Sequence, residues 1–169
     1  ARRGSTSRYA TGGTSMPEHP ADAIGTDTLR FADEYVDQLL EGEKRVTIRY
    51  DFEREYNWGH QIRFVNESGD AFAVGAVRLC ETQTVAETTP IEGPGYENYD
   101  DPEALAADLQ AHYPDAEIDA DTEVTVIAFD PVRRLWACGY CDNDEFMSIM
   151  GSLEPQCPQC NSTDVEAMA

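Results

Sequence analysis

The stretch that decides the fold is residues 42–49, which read GEKRVTIR. Polar and apolar side chains alternate from Arg45 to Arg49, and a period of two predicts a β-strand with one solvated face. Gly42, just before it, is the residue type that most often closes a preceding helix. The stretch therefore predicts a helix that ends at Gly42 and a strand over residues 44–50.

Lys44 is the single lysine among the 169 residues. Its ammonium is compact and can lose a proton, whereas an arginine side chain stays charged. A chain that otherwise uses arginine, and keeps a lysine three residues before Thr47, favours a chemical role for this amine. The alternative is that Lys44 remains by chance at a strand edge and that Thr47 is an ordinary β-branched strand residue.

Outward from this stretch, short strands alternate with two helices. The helices are expected at residues 32–41 and 102–112, the strands at residues 28–31, 44–50, 61–65, 71–80 and 123–129, and a loop at residues 82–101. Several short strands with two short helices predict a mainly β (α+β) fold, a small β-barrel covering residues 27–131.

Acidic residues dominate the composition. Asp and Glu number 33 against 12 Lys and Arg, the net charge is −21, and 41% of the residues are hydrophobic, enough for a folded chain. Molar salt shortens the Debye length to about 3 Å and screens such self-repulsion, so the composition indicates a halophilic protein in a salt-rich cytoplasm. The sequence has no run of about 18 apolar residues, and we expect that no signal peptide precedes the fold, so we expect a soluble, cytoplasmic protein with no membrane partner.

Residues 1–26 carry Arg2, Arg3 and Arg8 among Gly, Ser, Thr and Pro, without apolar periodicity. This composition predicts a flexible N-terminal arm. A basic arm could bind RNA phosphates. A solvated tail with no function is the preferred interpretation.

Four cysteines form two pairs near the end of the chain: Cys138-x2-Cys141 and, 15 residues later, Cys157-x2-Cys160. Four thiolates at this spacing suit tetrahedral zinc, so residues 132–169 are predicted to be a zinc ribbon. With every ligand position filled by sulfur, the Zn²⁺ would be structural. Iron is the alternative metal, and two disulfides are the alternative without a metal, which an intracellular setting disfavours. Cys80 is left over as a small apolar residue.

The ordered set of motifs before the ribbon resembles the ASCH domain, a family of PUA-like folds. The residues that carry the resemblance are Gly42, Lys44, Thr47 and Arg49, then Gly59 and Ile62, then Tyr113-Pro114, and last Val126-Ile127-Ala128-Phe129. The resemblance covers about residues 28–130 and implies a small β-barrel whose cleft suits RNA or a nucleoside.

Some members of that family are amidohydrolases that remove the acetyl group of N4-acetylcytidine. The resemblance implies a catalytic set of Lys44, Thr47 and Glu97. From the residues around this set, we expect Arg45, Arg49 and Tyr96 to contact RNA or substrate. The amine would take the threonine proton, and the carboxyl group would protonate the departing cytidine. On a regular strand, positions 44 and 47 point to opposite faces, so Lys44 has to precede the regular strand.

Three functions follow from these observations. The preferred one is RNA binding or modified-nucleoside binding in RNA metabolism or translation. The second is deacetylation of N4-acetylcytidine. The third is a zinc-ribbon adaptor that binds the ribosome or the transcription machinery.

Overall fold

Eight strands and a few short helices lie within the part of the chain that the structure describes. The structure is a computed structural model, and it describes residues 27–91, 93, 95–143, 145–147 and 155–169. The expected arm, residues 1–26, lies outside the described residues. The strands are β1 (Thr28–Arg30), β2 (Val46–Tyr50), β3 (Gln61–Val65), β4 (Ala71–Thr84), β5 (Glu123–Phe129), β6 (Arg133–Cys138), β7 (Phe146–Met147) and β8 (Val165–Ala167).

The main sheet has the order β1-β3-β4-β5-β2, in which β1 and β3 are parallel and the other neighbouring strands are antiparallel. The long strand β4 pairs with β3 and β6 through its first half and with β5 through its second half, so it bends across the molecule. The sheet curls into a half-barrel whose two end strands are β1 and β2. The predicted mainly β fold with short helices is confirmed.

Short helices lie in the connections between β1 and β2 and between β4 and β5. A 3₁₀ turn at Asp33–Tyr35 leads into α1 (Val36–Leu40), α2 is Val85–Thr88, and α3 is Pro102–His112. The helix α3 begins as its sequence predicts, because the Asp101 side chain accepts a hydrogen bond from the Ala104 N–H at 2.8 Å and proline follows the cap. Gly42 has a φ of +77°, which fits its predicted place after α1.

Three apolar clusters lie within the described residues, and the smallest, Val74 with Leu135, joins β4 to β6. The largest cluster lies inside the curled sheet, and its fully buried side chains include Phe64, Phe72 and Leu39. Gly75 on β4 makes room for it, since a Cβ there would lie 2.6 Å from the Phe64 ring. The second cluster holds α2 and α3 against β5 through Val85, Leu105, Ala106, Leu109 and Val124.

The predicted loop at residues 82–101 was wrong at its start. The strand β4 continues to Thr84, and α2 follows it. Thr84 and Glu87 form a capping box, in which each side chain bonds the other's backbone N–H, so the helix signal was present in the sequence.

The cysteine-rich end is joined to the main sheet by β6. Its start pairs with β4, with Arg134 opposite Ala73, and its remainder pairs with β7 and β8. Within the described residues, no helix is long and apolar enough to cross a membrane.

Candidate functional site

A cleft of about 330 Å³ opens between the two end strands of the half-barrel and is closed on one side by α3. This volume lies at the lower end of the range for small-molecule sites. Its walls include Arg30, Phe31, Ala32, Tyr35, Lys44, Val46, Thr47, Ile48, Arg49, Glu67, Thr88, Ile91, Tyr96, Glu97, Tyr99, Leu105, Asp108, Leu109, His112 and Tyr113. The cleft therefore gathers Lys44, Thr47 and Glu97, the three side chains of the expected catalytic set.

Lys44 lies before the first residue of β2, where its backbone N–H donates to the Gln38 carbonyl at 3.1 Å. Because the chain is irregular here, Lys44 and Thr47 both reach the cleft although their separation would place them on opposite faces of a regular strand. The Lys44 side chain is only 9% exposed. Its Nζ lies 3.2 Å from Glu97 Oε1 and 4.5 Å from the centre of the Tyr35 ring.

Thr47 and Arg49 share the cleft-facing side of β2. Arg49 Nε donates to Thr47 Oγ1 at 3.1 Å, and Arg49 Nη2 donates to the Arg30 carbonyl at 2.7 Å. The guanidinium lies 4.9 Å from the Phe31 ring centre, so Arg49 spans from β2 to β1 across the opening of the sheet. Burial lowers the pKa of Arg49, but guanidinium groups stay charged in proteins. The fixed positive charge of the Arg49 guanidinium therefore lies against the hydroxyl oxygen of Thr47.

Glu97 comes to the cleft on the loop before α3. The loop is held by Gly95, whose φ is +81° and whose carbonyl accepts the Arg45 N–H at 3.1 Å. Desolvation acts to raise the pKa of Glu97, but the Lys44 ammonium and the hydrogen bonds from Tyr99 and Lys44 outweigh it and lower that pKa below its usual value. Glu97 is therefore a carboxylate in this arrangement.

The three residues expected to contact RNA or substrate do not all line the cleft. Tyr96 lines the cleft, as Arg49 does. Arg45 is not part of the cleft wall: its Nε donates to the Gly42 carbonyl at 3.0 Å, and its stem packs against Gly95. The structure thus gives Arg45 a role in joining the Glu97 loop to β2.

Several cleft residues were not anticipated from the sequence. Tyr99, Asp108 and His112 lie on the cleft wall, and Tyr35 lies under the Lys44 ammonium. The sequence of α3 did indicate that two of these residues lie together, because Asp108 and His112 are four residues apart and so share one helix face. Burial raises the pKa of Tyr99, and its hydrogen bonds to Asp108 and Glu97 raise it further.

The four cysteines of the expected ribbon converge. Cys138 Sγ lies 3.7 Å from Cys160 Sγ, Cys141 Sγ lies 3.6 Å from Cys157 Sγ, and all four sulfurs lie within 4.8 Å of one another. A tetrahedron with zinc–sulfur bonds of about 2.3 Å has sulfur–sulfur edges of about 3.8 Å. The cluster therefore has the size of a four-thiolate metal site. The leftover cysteine, Cys80, is partly buried against the largest core cluster.

Several solved structures resemble part of this chain at low sequence identity. No protein-family model matches it, and no curated protein matches it either. The ASCH protein of Zymomonas mobilis superposes with a TM-score of 0.48 at 9% identity, over 64% of this chain and 68% of the other. A protein of Enterococcus faecalis superposes with a TM-score of 0.48 at 14% identity, over 64% of this chain and 80% of the other. An ASCH domain from Lactobacillus crispatus superposes with a TM-score of 0.42 at 18% identity, over 62% of this chain and 79% of the other. Likenesses at this level leave the family and the function to be judged from the residues themselves.

Proposed function

We propose that this protein is an ASCH-like amidohydrolase that removes the acyl group from N4-acylated cytidine. The observation that carries the proposal is the convergence of a buried lysine, a threonine held by arginine, and a carboxylate in one cleft. A lysine base, a hydroxyl nucleophile and a carboxyl group together form one set of groups that can cleave an amide. The acylated cytidine comes from the resemblance of the Gly42–Arg49 motif to the ASCH family.

The ion pair between Lys44 and Glu97 gives the chemistry its starting point. Transfer of one proton from Lys44 Nζ to Glu97 Oε1 across 3.2 Å leaves a neutral amine and a carboxylic acid. The amine then takes the Thr47 hydroxyl proton as the threonine oxygen attacks the acyl carbon. The carboxylic acid gives its proton to the cytidine nitrogen as the carbon–nitrogen bond breaks. Water subsequently hydrolyses the acyl-threonine ester and regenerates the hydroxyl.

Arg49 supports this step from a fixed position. Its Nε–H points at Thr47 Oγ1, the atom on which negative charge develops when the hydroxyl loses its proton. Because its Nη2 is anchored on the Arg30 carbonyl, the guanidinium need not reorganise during the reaction.

Aromatic side chains give the cleft its affinity for a base. Phe31, Tyr35, Tyr96 and Tyr113 all contribute to its walls. Flat pyrimidine rings stack on such side chains with about 1–3 kcal/mol per base. The substrate's cytosine is expected to stack here, with its exocyclic amide towards Thr47.

A second candidate is binding without turnover, in which the same cleft reads a modified nucleoside within RNA during RNA metabolism or translation. The aromatic walls together with Arg30 and Arg49 favour it, since stacking and charge suffice for binding. The convergence of Lys44 with Glu97 favours the enzyme, because a reader of RNA gains little from an amine neutralised by a carboxylate.

The cysteine cluster is proposed to hold one structural Zn²⁺, with iron as the alternative metal, in a ribbon spanning residues 132–169. The Asn143 side-chain N–H lies 3.5 Å from Cys157 Sγ, and the Tyr140 N–H lies 3.4 Å from Cys138 Sγ, as donors do around metal-bound thiolates. The ion would supply folding free energy and no open ligand position. The ribbon would also offer a surface to the ribosome or the transcription machinery.

The test is incubation of the purified protein with N4-acetylcytidine in molar potassium chloride, with cytidine and acetate measured by chromatography. Molar salt is chosen because the acidic composition suits a halophilic, cytoplasmic protein. Production of cytidine and acetate by wild type, together with loss of this production in Thr47→Ala, would support the proposed enzyme activity. Tight binding of the nucleoside with no product would leave the second candidate.

A further inference from the structure

The two faces of β2 contribute different side chains to the cleft. Thr47 is paired with Ile127 of β5, which belongs to the largest apolar cluster, so Thr47 lies on the face of β2 that looks into the half-barrel. Ile48, the next residue, lies on the opposite face and packs against the second cluster, which holds α2 and α3. Both residues line the cleft, and β2 is an end strand of the main sheet, so the cleft passes around the free edge of β2.

The cleft wall on the Ile48 side is aliphatic. Thr88, at the end of α2, is its polar member, but the Thr88 hydroxyl already donates to the Thr84 carbonyl at 3.0 Å. Ile91 follows α2 on the same wall, and its N–H donates to the Thr88 carbonyl at 3.1 Å. Together with residues of β2 and α3, the aliphatic side chains of this wall are Val46, Ile48, Ile91, Leu105 and Leu109. They offer a ligand apolar contact and no charge.

The cleft wall on the β1 side is polar and aromatic. Arg49, on the same face of β2 as Thr47, donates to the Arg30 carbonyl and lies 4.9 Å from the Phe31 ring centre. An N4-acylated cytidine is divided in the same way, because its base and ribose carry the polar groups and its acyl chain is apolar. Apolar groups gain free energy from an apolar wall, whereas polar groups lose it there unless they form hydrogen bonds. This division matches the nucleoside to the β1 side and the acyl chain to the Ile48 side.

We propose that Val46, Ile48, Ile91 and Leu105 form a subsite for the acyl chain, and that this subsite favours acyl groups longer than acetyl. The proposal deepens the proposed function and rests on it, since it places the acyl group of that substrate. The methyl group of an acetyl covers little of such a wall, whereas each further methylene removes apolar surface from water. The cleft of about 330 Å³ is finite, so the gain stops once the subsite is filled.

The test is the affinity of the protein for a series of N4-alkylcytidines, from methyl to hexyl, measured by titration calorimetry in molar potassium chloride. These probes carry an apolar chain on the same nitrogen but no carbonyl group, so they cannot be cleaved as amides. We expect binding to become about 3-fold to 4-fold tighter with each added methylene until the subsite is filled. An affinity that does not depend on the chain length would overturn the proposal.

Ile91→Ala tests where the chain lies, with Ile118→Ala as the matched control. Ile91 is part of the cleft wall, whereas Ile118 packs against the second cluster outside that wall. We expect Ile91→Ala to lose about 5-fold more affinity for N4-hexylcytidine than for N4-methylcytidine, and Ile118→Ala to show no such difference. Equal losses for the two probes in Ile91→Ala would contradict the subsite. Amide spectra show whether each variant is folded. If Ile91→Ala is not, Ile48→Val, which removes one methylene from the same wall, should show the same selectivity on a smaller scale.

Hydrolysis of two substrates separates this inference from the proposed function. We expect wild type to have a kcat/KM for N4-hexanoylcytidine that is about 10-fold or more above that for N4-acetylcytidine. A preference for the acetyl substrate would contradict the subsite and leave the amidohydrolase standing. If wild type turns over neither substrate, the proposed function fails, while the N4-alkylcytidine series still decides whether this wall binds an apolar chain.

Discussion

Lys44 and Glu97 are separated by 53 positions, yet their side-chain atoms lie 3.2 Å apart. The sequence indicated Lys44 through its rarity and Thr47 through its spacing, and both assignments as catalytic residues stay predictions. Periodicity could not predict the contact with Glu97, because the glutamate lies on a loop that is positioned by Gly95 and Arg45. A hydrogen bond between backbones, and not a side-chain pattern, brings the pair together.

At the same scale, the lowered pKa of Glu97 makes a prediction about stability. A carboxyl group whose pKa is lower in the folded state stabilises the fold above its unfolded pKa, and that contribution is lost as the pH falls through the folded value. Glu97→Gln should therefore be less stable than wild type near neutral pH, and the difference should shrink on acidification. The effect should be modest, because the side chain is 42% exposed.

Urea unfolding between neutral pH and pH 3 measures this difference, with Glu43→Gln as the control next to the same lysine. Glu43 is exposed, so its substitution should leave the pH dependence unchanged. A Glu97→Gln difference that grows as the pH falls would show that the carboxylate is not stabilised by Lys44.

At the scale of elements, the strands and α3 follow from the sequence more closely than the connections do. The predicted strand at residues 61–65 and helix at residues 102–112 match the structure, since strand alternation and a cap with proline are local signals. The prediction of a loop was wrong at α2, because a four-residue helix is too short to show a periodic pattern of apolar residues. The curl that places β1 and β2 on either side of the cleft depends on packing between distant residues, which no local pattern contains.

The loop that carries Glu97 offers a test with a matched pair of glycines. Gly95 and Gly59 both have a φ of +81°, but a Cβ on Gly95 would lie 2.5 Å from the Arg45 Cβ, while a Cβ on Gly59 would meet nothing within 4 Å. Each change to alanine should lower the free energy of unfolding by about 1–2 kcal/mol, because the left-handed backbone conformation is unfavourable for a residue with a Cβ. Gly95→Ala should lose a further 1–3 kcal/mol, roughly, from overpacking.

Chemical denaturation of the two variants gives the comparison directly. Gly95→Ala should also reduce cleft function, because Arg45 belongs to the entry of β2. Equal losses of stability in the two variants would mean that the Gly95–Arg45 contact does not hold the loop.

At the scale of the whole molecule, β6 couples the cysteine cluster to the main sheet. Cys157→Ser is expected to abolish metal binding, from near one ion per chain to near zero, and to disrupt the β6–β8 pairing. The half-barrel should stay folded, because the residues of its two larger core clusters all precede β6. Metal analysis together with amide NMR measures both effects.

Cys80→Ser is the matched control, since Cys80 lies outside the cluster and should leave the metal content unchanged. Wild-type protein purified without chelator that contains neither zinc nor iron would contradict the metal site. Loss of the half-barrel signals in Cys157→Ser would show that the two parts fold together.

The central claim is that Lys44 acts through a proton and not through its charge, and turnover of N4-acetylcytidine by Lys44→Arg tests it most directly. Arginine keeps the positive charge and can still pair with Glu97, but it does not give up its proton. We predict that kcat falls roughly 10²-fold or more, while the affinity for the nucleoside changes by at most about 1 kcal/mol. Unaltered deacetylation by Lys44→Arg, or none by wild type, would contradict the account.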